Sequence, residues 1–83
     1  MKAIVKVKLK EGILDPQGRA VKTALHHLGY QKIKDVRIGK YIELDIDGND
    51  FIAIKGLVTE ASHKLLANPV IEDYFIEIEE GKR

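Results

Sequence analysis

Hydrophobic and polar residues alternate along the start of the chain and then change to helical spacing. Residues 3 to 9 place apolar side chains on one face and lysines between them, which predicts a half-buried strand. Asp15-Pro16 predicts a helix start, because aspartate caps free backbone N–H groups and proline at the first helical position loses no hydrogen bond. We expect this helix to run from Pro16 to Leu28 and to stop at Gly29. Its apolar stripe consists of Ala20, Val21, Ala24, Leu25 and Leu28.

The segment from Ile33 to Asp47 has its apolar residues at even positions on both sides of Gly39-Lys40. A two-residue hairpin turn at Gly39-Lys40 would put the two apolar sets on opposite faces and bury acidic side chains. A single long strand kinked at Gly39 keeps them on one face, and so does a three-residue turn from Gly39 to Tyr41. We favour the long strand, which at about 14 residues exceeds the usual length and suits two sheets or a neighbouring chain.

Helical spacing returns after Asp50 and ends before the last strand. Apolar residues recur in steps of three and four from Phe51 to Leu65, and the helix is expected to end at Asn68-Pro69, because proline disfavours helical geometry in the residue before it. Alternation from Tyr74 to Ile78 predicts a closing strand, and the charged tail Glu79 to Arg83 is expected to be frayed.

These elements predict one α+β domain spanning residues 1–83, with an antiparallel sheet and two helices on one face. The order strand, helix, long strand, helix, strand resembles a ferredoxin-like plan with a long kinked central strand. The other sheet face would carry Ile4, Tyr41 and Phe75 among charges, and we expect dimerisation to complete the fold there.

Composition narrows the class of protein. The 83 residues include no cysteine, which excludes thiol nucleophiles and cysteine-based metal sites. Fourteen Lys+Arg against thirteen Asp+Glu give a net charge of +1, which does not favour nucleic-acid binding. The bases concentrate early and the acids late, which favours complementary strands or faces in one sheet over a phosphate-binding stripe. No apolar run has membrane-spanning length and Met1 to Lys10 does not resemble a signal peptide, so we expect a cytoplasmic protein.

Candidate chemistry is sparse. His26 and His27 are helix neighbours that point about 100° apart, so they do not ligate one metal ion as an i, i+4 pair does. Ser62 is the only serine and lies inside a helix rather than on a sharp exposed turn. The glycines are dispersed and form no phosphate loop. We therefore expect no catalytic residue, no metal and no cofactor on this chain.

Two short segments stand out. In Leu14 to Val21, Gly18 occupies the opening helical turn and Arg19 follows it, which indicates either a cap with close packing or a contact with a partner or phosphate. In Arg37 to Tyr41, two cations flank the expected kink, which indicates either a solvated bulge or a functional contact.

Four blocks along the chain carry a family resemblance. They are Glu11 to Gly18, Ala24 to Tyr30 (Ala-Leu-His and Leu-Gly-Tyr), Val36 to Leu44, and Lys64 to Tyr74. In order and spacing they resemble the small PurS-type subunit of phosphoribosylformylglycinamidine synthase, and the resemblance spans nearly the whole chain.

The resemblance implies a non-catalytic bridging subunit in the fourth step of purine biosynthesis. In that family a glutaminase subunit releases ammonia with a cysteine nucleophile, and a large synthetase subunit binds ATP, magnesium and the ribonucleotide. The expected partners are therefore those two subunits and further copies of this chain, as a homodimer or homotetramer. The expected interface or fold-fixing positions are Asp15, Gln17, Gly18, Arg19, Arg37, Lys40, Asn68 and Pro69.

The competing hypothesis is a free-standing ferredoxin-like regulatory module that binds a small ligand. Such a module would bind a metabolite alone, whereas a bridging subunit would co-purify with a glutaminase and a synthetase. RNA binding on the sheet face is a third hypothesis, which the few strand aromatics, Tyr41, Tyr74 and Phe75, disfavour.

Overall fold

The computed structural model describes residues 1–79 and contains three strands and two helices in the predicted order. Of the charged tail expected to be frayed, Glu79 is the last residue of β3, and residues 80–83 lie outside the described range. The elements are β1 (Lys2–Leu9), α1 (Pro16–His27), β2 (Gly39–Asp45), α2 (Phe51–Ala61), a π-helical turn (Ser62–Leu66) and β3 (Glu72–Glu79).

The sheet has β1 at its centre, antiparallel to β2 on one side and to β3 on the other. In this register Val5 lies opposite Ile42 and Ile76, so one face of all three strands is apolar. That face packs against α2 through Ile54 and Val58, which are buried. The predicted α+β class with an antiparallel sheet is confirmed.

The outer sheet face is a lattice of opposite charges. Lys6 Nζ lies 3.1 Å from Glu77 Oε2, and Lys10 Nζ lies 2.7 Å from Asp73 Oδ1. The predicted complementary strands are confirmed by these pairs. Ile4, also on this face, is only 4% exposed. Tyr41 and Phe75 remain exposed there.

The structure corrects the length of the long strand predicted between Ile33 and Asp47. β2 begins at Gly39, so residues 33–38 lie outside the sheet, and Gly39 to Tyr41 form strand rather than a turn. The reason is that β1 has little left to pair: Lys8 is already opposite Gly39, and the next amide, Ile38 N–H, donates to the Asp15 carboxylate instead. The even-numbered apolar positions therefore extend to Val36 and Ile38, although the pairing of β2 with β1 starts only at Gly39.

The structure also corrects the place of α1. The core consists of sheet residues, α2 and Ala67, and none of its described members comes from α1. The Cα radius of gyration is 16.3 Å, against about 12 Å for a compact chain of this length. The expected layer of two helices on one sheet face therefore contains α2 but not α1. Within residues 1–79, no helix is long and apolar enough to cross a membrane.

Candidate partner-binding site

Asp15 fixes the base of α1 to the start of β2. Its Oδ1 accepts a hydrogen bond of 2.9 Å from Gly18 N–H, and its Oδ2 accepts one of 2.8 Å from Ile38 N–H. These two N–H donors, with a further contribution from the positive charge of Arg37, lower the pKa of the Asp15 carboxyl below its ordinary value of 3.8. One nearly buried carboxylate thus acts both as the predicted helix cap and as a tie between distant segments.

Gly18 brings the first turn of α1 against the backbone of residue 36. A Cβ on Gly18 would clash with the carbonyl oxygen of Val36 and with the Asp15 carboxylate. A side chain at position 18 therefore requires the backbone to shift, because the nearest neighbour is a backbone carbonyl oxygen rather than a flexible side-chain end. The interpretation of this segment as a cap with close packing is the one that the geometry supports.

Arg37 ties the turn after β1 to the connector that precedes β2. Its Nη1 donates to Ile13 O at 3.2 Å, and its Nη2 donates to Lys10 O at 3.1 Å and more weakly to Leu9 O at 3.4 Å. The planar guanidinium can serve several carbonyls at once because its donors are held in a rigid fork. The Nη1 and Nη2 groups of Arg37 thus donate to carbonyls of its own chain, which assigns Arg37 a role in fixing the fold.

Three other predicted residues lie around this base with exposed side chains. Arg19 and Arg37 line a concavity of 450 Å³, and Gln17 and Lys40 line a neighbouring one of 270 Å³. Lys40 Nζ is 4.0 Å from Glu72 Oε2, which is a loose contact for an exposed lysine. Gln17, Arg19 and Lys40 are therefore exposed, and their expected role at an interface stays a prediction.

Asn68 and Pro69 lie apart from this cluster, in the turn that leads into β3. Asn68 Oδ1 accepts from Val70 N–H at 3.1 Å, and Asn68 O accepts from Glu72 N–H at 2.7 Å. The Glu72 carboxylate in turn accepts from Asn68 N–H at 2.7 Å. These bonds close the turn locally, so of the two expected roles for Asn68 and Pro69, fixing the fold is the one that fits. Glu72, which takes part in these bonds, is also the residue that lies near Lys40.

The larger candidate surface is the apolar stripe of α1, a helix expected to cover one sheet face together with α2. Leu28 is 73% exposed and Leu14, just before the helix, is 66% exposed. Val21 is also exposed at the centre of the stripe. The helical spacing identified these residues as one apolar face, but spacing does not tell whether the face meets the same chain or another one.

The charged residues of α1 and of the segment that follows it, up to Lys34, are all positive. From Pro16 to Lys34 the chain contains Arg19, Lys22, Lys32 and Lys34 and no Asp or Glu. The far end of α1 is held to the connector by His26, whose Nε2 lies 2.8 Å from Ile33 O, and by Gln31, whose amide donates to His26 O at 2.6 Å. The helix and connector thus form a basic arm, residues 14–38, that extends from the sheet.

Within residues 1–79 the structure brings no three His, Cys, Asp or Glu side chains together as a metal site. His26 is engaged with the connector backbone rather than with its neighbour His27. The geometry at the base of α1 and along its stripe is that of a binding surface made of hydrogen-bonded backbone, exposed cations and apolar side chains.

Comparison with known proteins identifies the family. Residues 2–80 match the family model described as PurS, phosphoribosylformylglycinamidine (FGAM) synthase. The chain belongs to the PurS family. It is 56% identical over 79 residues to the phosphoribosylformylglycinamidine synthase subunit PurS of Bacillus subtilis, covering 95% of this chain and 93% of that protein. The resemblance read from the four sequence blocks is confirmed.

Solved structures of PurS proteins have the same fold. A crystal structure of Bacillus subtilis PurS superposes with a TM-score of 0.86, with 56% identity and coverage of 95% of this chain and 98% of that one. A chain in a structure of PurLQS from Thermotoga maritima superposes with a TM-score of 0.82 at 28% identity, covering 92% of this chain and 93% of that one.

Proposed function

We propose that this chain is the non-catalytic bridging subunit of phosphoribosylformylglycinamidine synthase in de novo purine biosynthesis. It joins a glutaminase subunit to an ATP-dependent synthetase subunit, so that ammonia released by the first reaches the second. Its PurS family membership and its likeness to a chain of PurLQS support this role. They do not favour the alternative of a free-standing regulatory module.

The observation that carries the proposal is the α1 stripe. A 12-residue helix with an apolar face stays outside the core, and Leu28 at its end is 73% exposed. A free chain gains little from such a helix, because most helical stability in proteins comes from packing an apolar face. Another polypeptide that covers this face supplies the missing packing.

The charge of the arm indicates the chemistry of that polypeptide. Because residues 16–34 carry four Lys or Arg and no Asp or Glu, the covering surface is apolar at its centre and acidic at its rim. Gln17 and Lys40 at the base of α1 add polar contacts beside it. The arm thus fits an acidic surface on the glutaminase or the synthetase subunit.

The division of chemistry follows from the residues. The chain contains no cysteine, so the thiol that attacks glutamine belongs to the glutaminase subunit. ATP and magnesium belong to the synthetase subunit. This chain contributes geometry: it holds two active sites so that ammonia passes between them with little loss to water. We place the complex in the cytoplasm and this chain in it as a homodimer or homotetramer.

Co-purification with matched variants tests the proposal. Tagged wild-type chain is expected to retain both other subunits from a mixture of the three purified proteins. Ala24→Glu adds a negative charge to the exposed stripe and is expected to weaken that retention at least tenfold. Thr23→Glu adds the same side chain at the preceding position, which points about 100° away around α1 and lies off the stripe, and is expected to retain both subunits. Equal retention by the two variants would contradict the assignment of the stripe.

A further inference from the structure

The basic arm is tied to itself at both of its ends. The Asp15 carboxylate accepts from Gly18 N–H at 2.9 Å and from Ile38 N–H at 2.8 Å, which joins the start of α1 to the end of the connector. At the far end of α1, His26 Nε2 lies 2.8 Å from Ile33 O. These bonds hold α1 and the connector together as one body, without support from the sheet.

Little holds this body to the rest of the chain. Within residues 1–79, neither the buried core nor the half-buried apolar residues that pack against it include a residue of the arm. In the same range, Arg37 is the one arm side chain that hydrogen-bonds outside the arm. It donates to Leu9 O, Lys10 O and Ile13 O, at the end of β1 and in the turn that follows.

The two covalent links of the arm lie side by side. The chain enters the arm from the turn after β1 and leaves it at Gly39, the first residue of β2. These strands are neighbours in the sheet, with Lys8 opposite Gly39, and adjacent strands are about 4.8 Å apart. Two links placed close together allow rotation about the line that joins them and resist motion in other directions.

We propose that the basic arm is a hinged element that turns as one body about the ends of β1 and β2, with Arg37 as the latch that sets its angle. The change in backbone angles falls on the turn after β1, where Gly12 has a φ of 84°, and on the link between Ile38 and Gly39. The use of this hinge, which is to let the apolar stripe follow a partner subunit, rests on the proposed function. The hinge itself does not.

The latch consists of hydrogen bonds that water can replace. Arg37 is exposed, and its bonds of 3.1, 3.2 and 3.4 Å are long for N–H donors. Such bonds contribute little net free energy, because bonds to water take their place when they break. The arm is therefore held at its observed angle only weakly.

Open space for the rotation lies in the crease between α1 and the sheet. A concavity of 270 Å³ is lined by Pro16 and Gln17 of α1 and by Val7 and Leu9 of β1. Close-packed interfaces resist relative motion, because their side chains interdigitate. A crease with unfilled volume between α1 and β1 therefore permits the arm to turn toward the sheet.

Distances between spin labels test the hinge on the full chain, in which every thiol is an introduced one. His27→Cys with Asp45→Cys puts one label on the arm and one on β2, both at exposed positions. Asp45→Cys with Thr59→Cys puts both labels on the sheet and α2 and is the matched control. Labelled chain is diluted into excess unlabelled chain, so that distances between copies do not contribute. The arm-to-sheet distance distribution is expected to be about twice as wide as the control.

The latch is tested in the same two label pairs. Arg37→Ala is expected to widen the arm-to-sheet distribution by a further half or about that, and to leave the control pair unchanged. Arg37→Lys keeps the charge but not the fork of donors, and is expected to widen it as well. Arg19→Ala removes another exposed arginine of the arm and is expected to change neither distribution. Helix content by circular dichroism is expected to stay at the wild-type value in all three variants.

Three outcomes would overturn the hinge: an arm-to-sheet distribution as narrow as the control, a distribution that Arg37→Ala leaves unchanged, or a widening that comes with loss of helix. Adding the glutaminase and synthetase subunits is expected to narrow the distribution, and an unchanged width with both subunits retained would contradict the use assigned to the hinge. Failure of the bridging role is seen separately, as loss of that retention, and leaves the measurements on the isolated chain unaffected.

Discussion

Gly18 lies directly against the backbone carbonyl oxygen of Val36, so that the first turn of α1 and the connector before β2 touch without a side chain between them. This contact, together with the Asp15 carboxylate that accepts from Gly18 and Ile38, sets where α1 leaves the sheet. The direction of the arm, and with it the position of its apolar stripe, depends on this junction.

Gly18→Ala is expected to destabilise the fold by about 1–3 kcal/mol, because the new methyl group overlaps a backbone carbonyl that has to move. Urea unfolding followed by circular dichroism measures the change. Gln17→Ala, in the same turn but exposed, is the matched control and is expected to stay within about 0.5 kcal/mol. Equal stability of the two variants would show that the contact is loose.

The Asp15 carboxylate is expected to make stability fall in acid. Its pKa is lower in the folded chain than the ordinary 3.8, because Gly18 and Ile38 donate to the ionised form. Its contribution is therefore fully present above the unfolded-state pKa and is lost as the pH falls through the folded-state pKa. Urea midpoints between pH 6 and pH 2 should decline for the wild type and less steeply for Asp15→Asn. Parallel curves would contradict the assigned hydrogen bonds.

Ser62→Ala is expected to raise stability by up to about 1 kcal/mol. The Ser62 hydroxyl is fully buried at the start of the π-helical turn, and its Oγ has no hydrogen-bond partner. Burying an unpaired hydroxyl costs free energy, and alanine removes the group with little change in volume. Thermal unfolding measures the shift. A variant less stable than the wild type would mean that the hydroxyl has a partner, such as a water molecule.

Local signals in the sequence predicted the elements well. Asp15, Pro16 and Gly29 mark the ends of α1 through backbone chemistry that acts within a few residues, and Gly29 has the positive φ of 101° expected after a helix. Alternation in β1 and β3 predicted the face that packs on α2, since burial of one sheet face is the only way to satisfy that pattern.

Local sequence patterns do not predict contacts between segments that are distant in the chain. Val36 and Ile38 continue the even-numbered apolar positions of β2. The β1–β2 pairing nevertheless ends before them, because the Ile38 amide donates to the carboxylate of Asp15, which lies 23 positions away in the sequence. Helical spacing predicts an apolar face on α1, but that face has the same spacing whether it meets its own chain or another. Three of the predicted interface or fold-fixing positions, Asp15, Gly18 and Arg37, lie close together in the structure, and their hydrogen bonds are made within the chain.

The bridging role is tested most directly by reconstituting glutamine-dependent synthesis from purified glutaminase and synthetase subunits with and without this chain. Amidine product and glutamate are measured together, so that the fraction of released ammonia that is used is known. A bridging subunit is expected to give near-equal amounts of the two when it is present and loss of glutamine-dependent product when it is omitted. Unchanged glutamine-dependent turnover without the chain would contradict it.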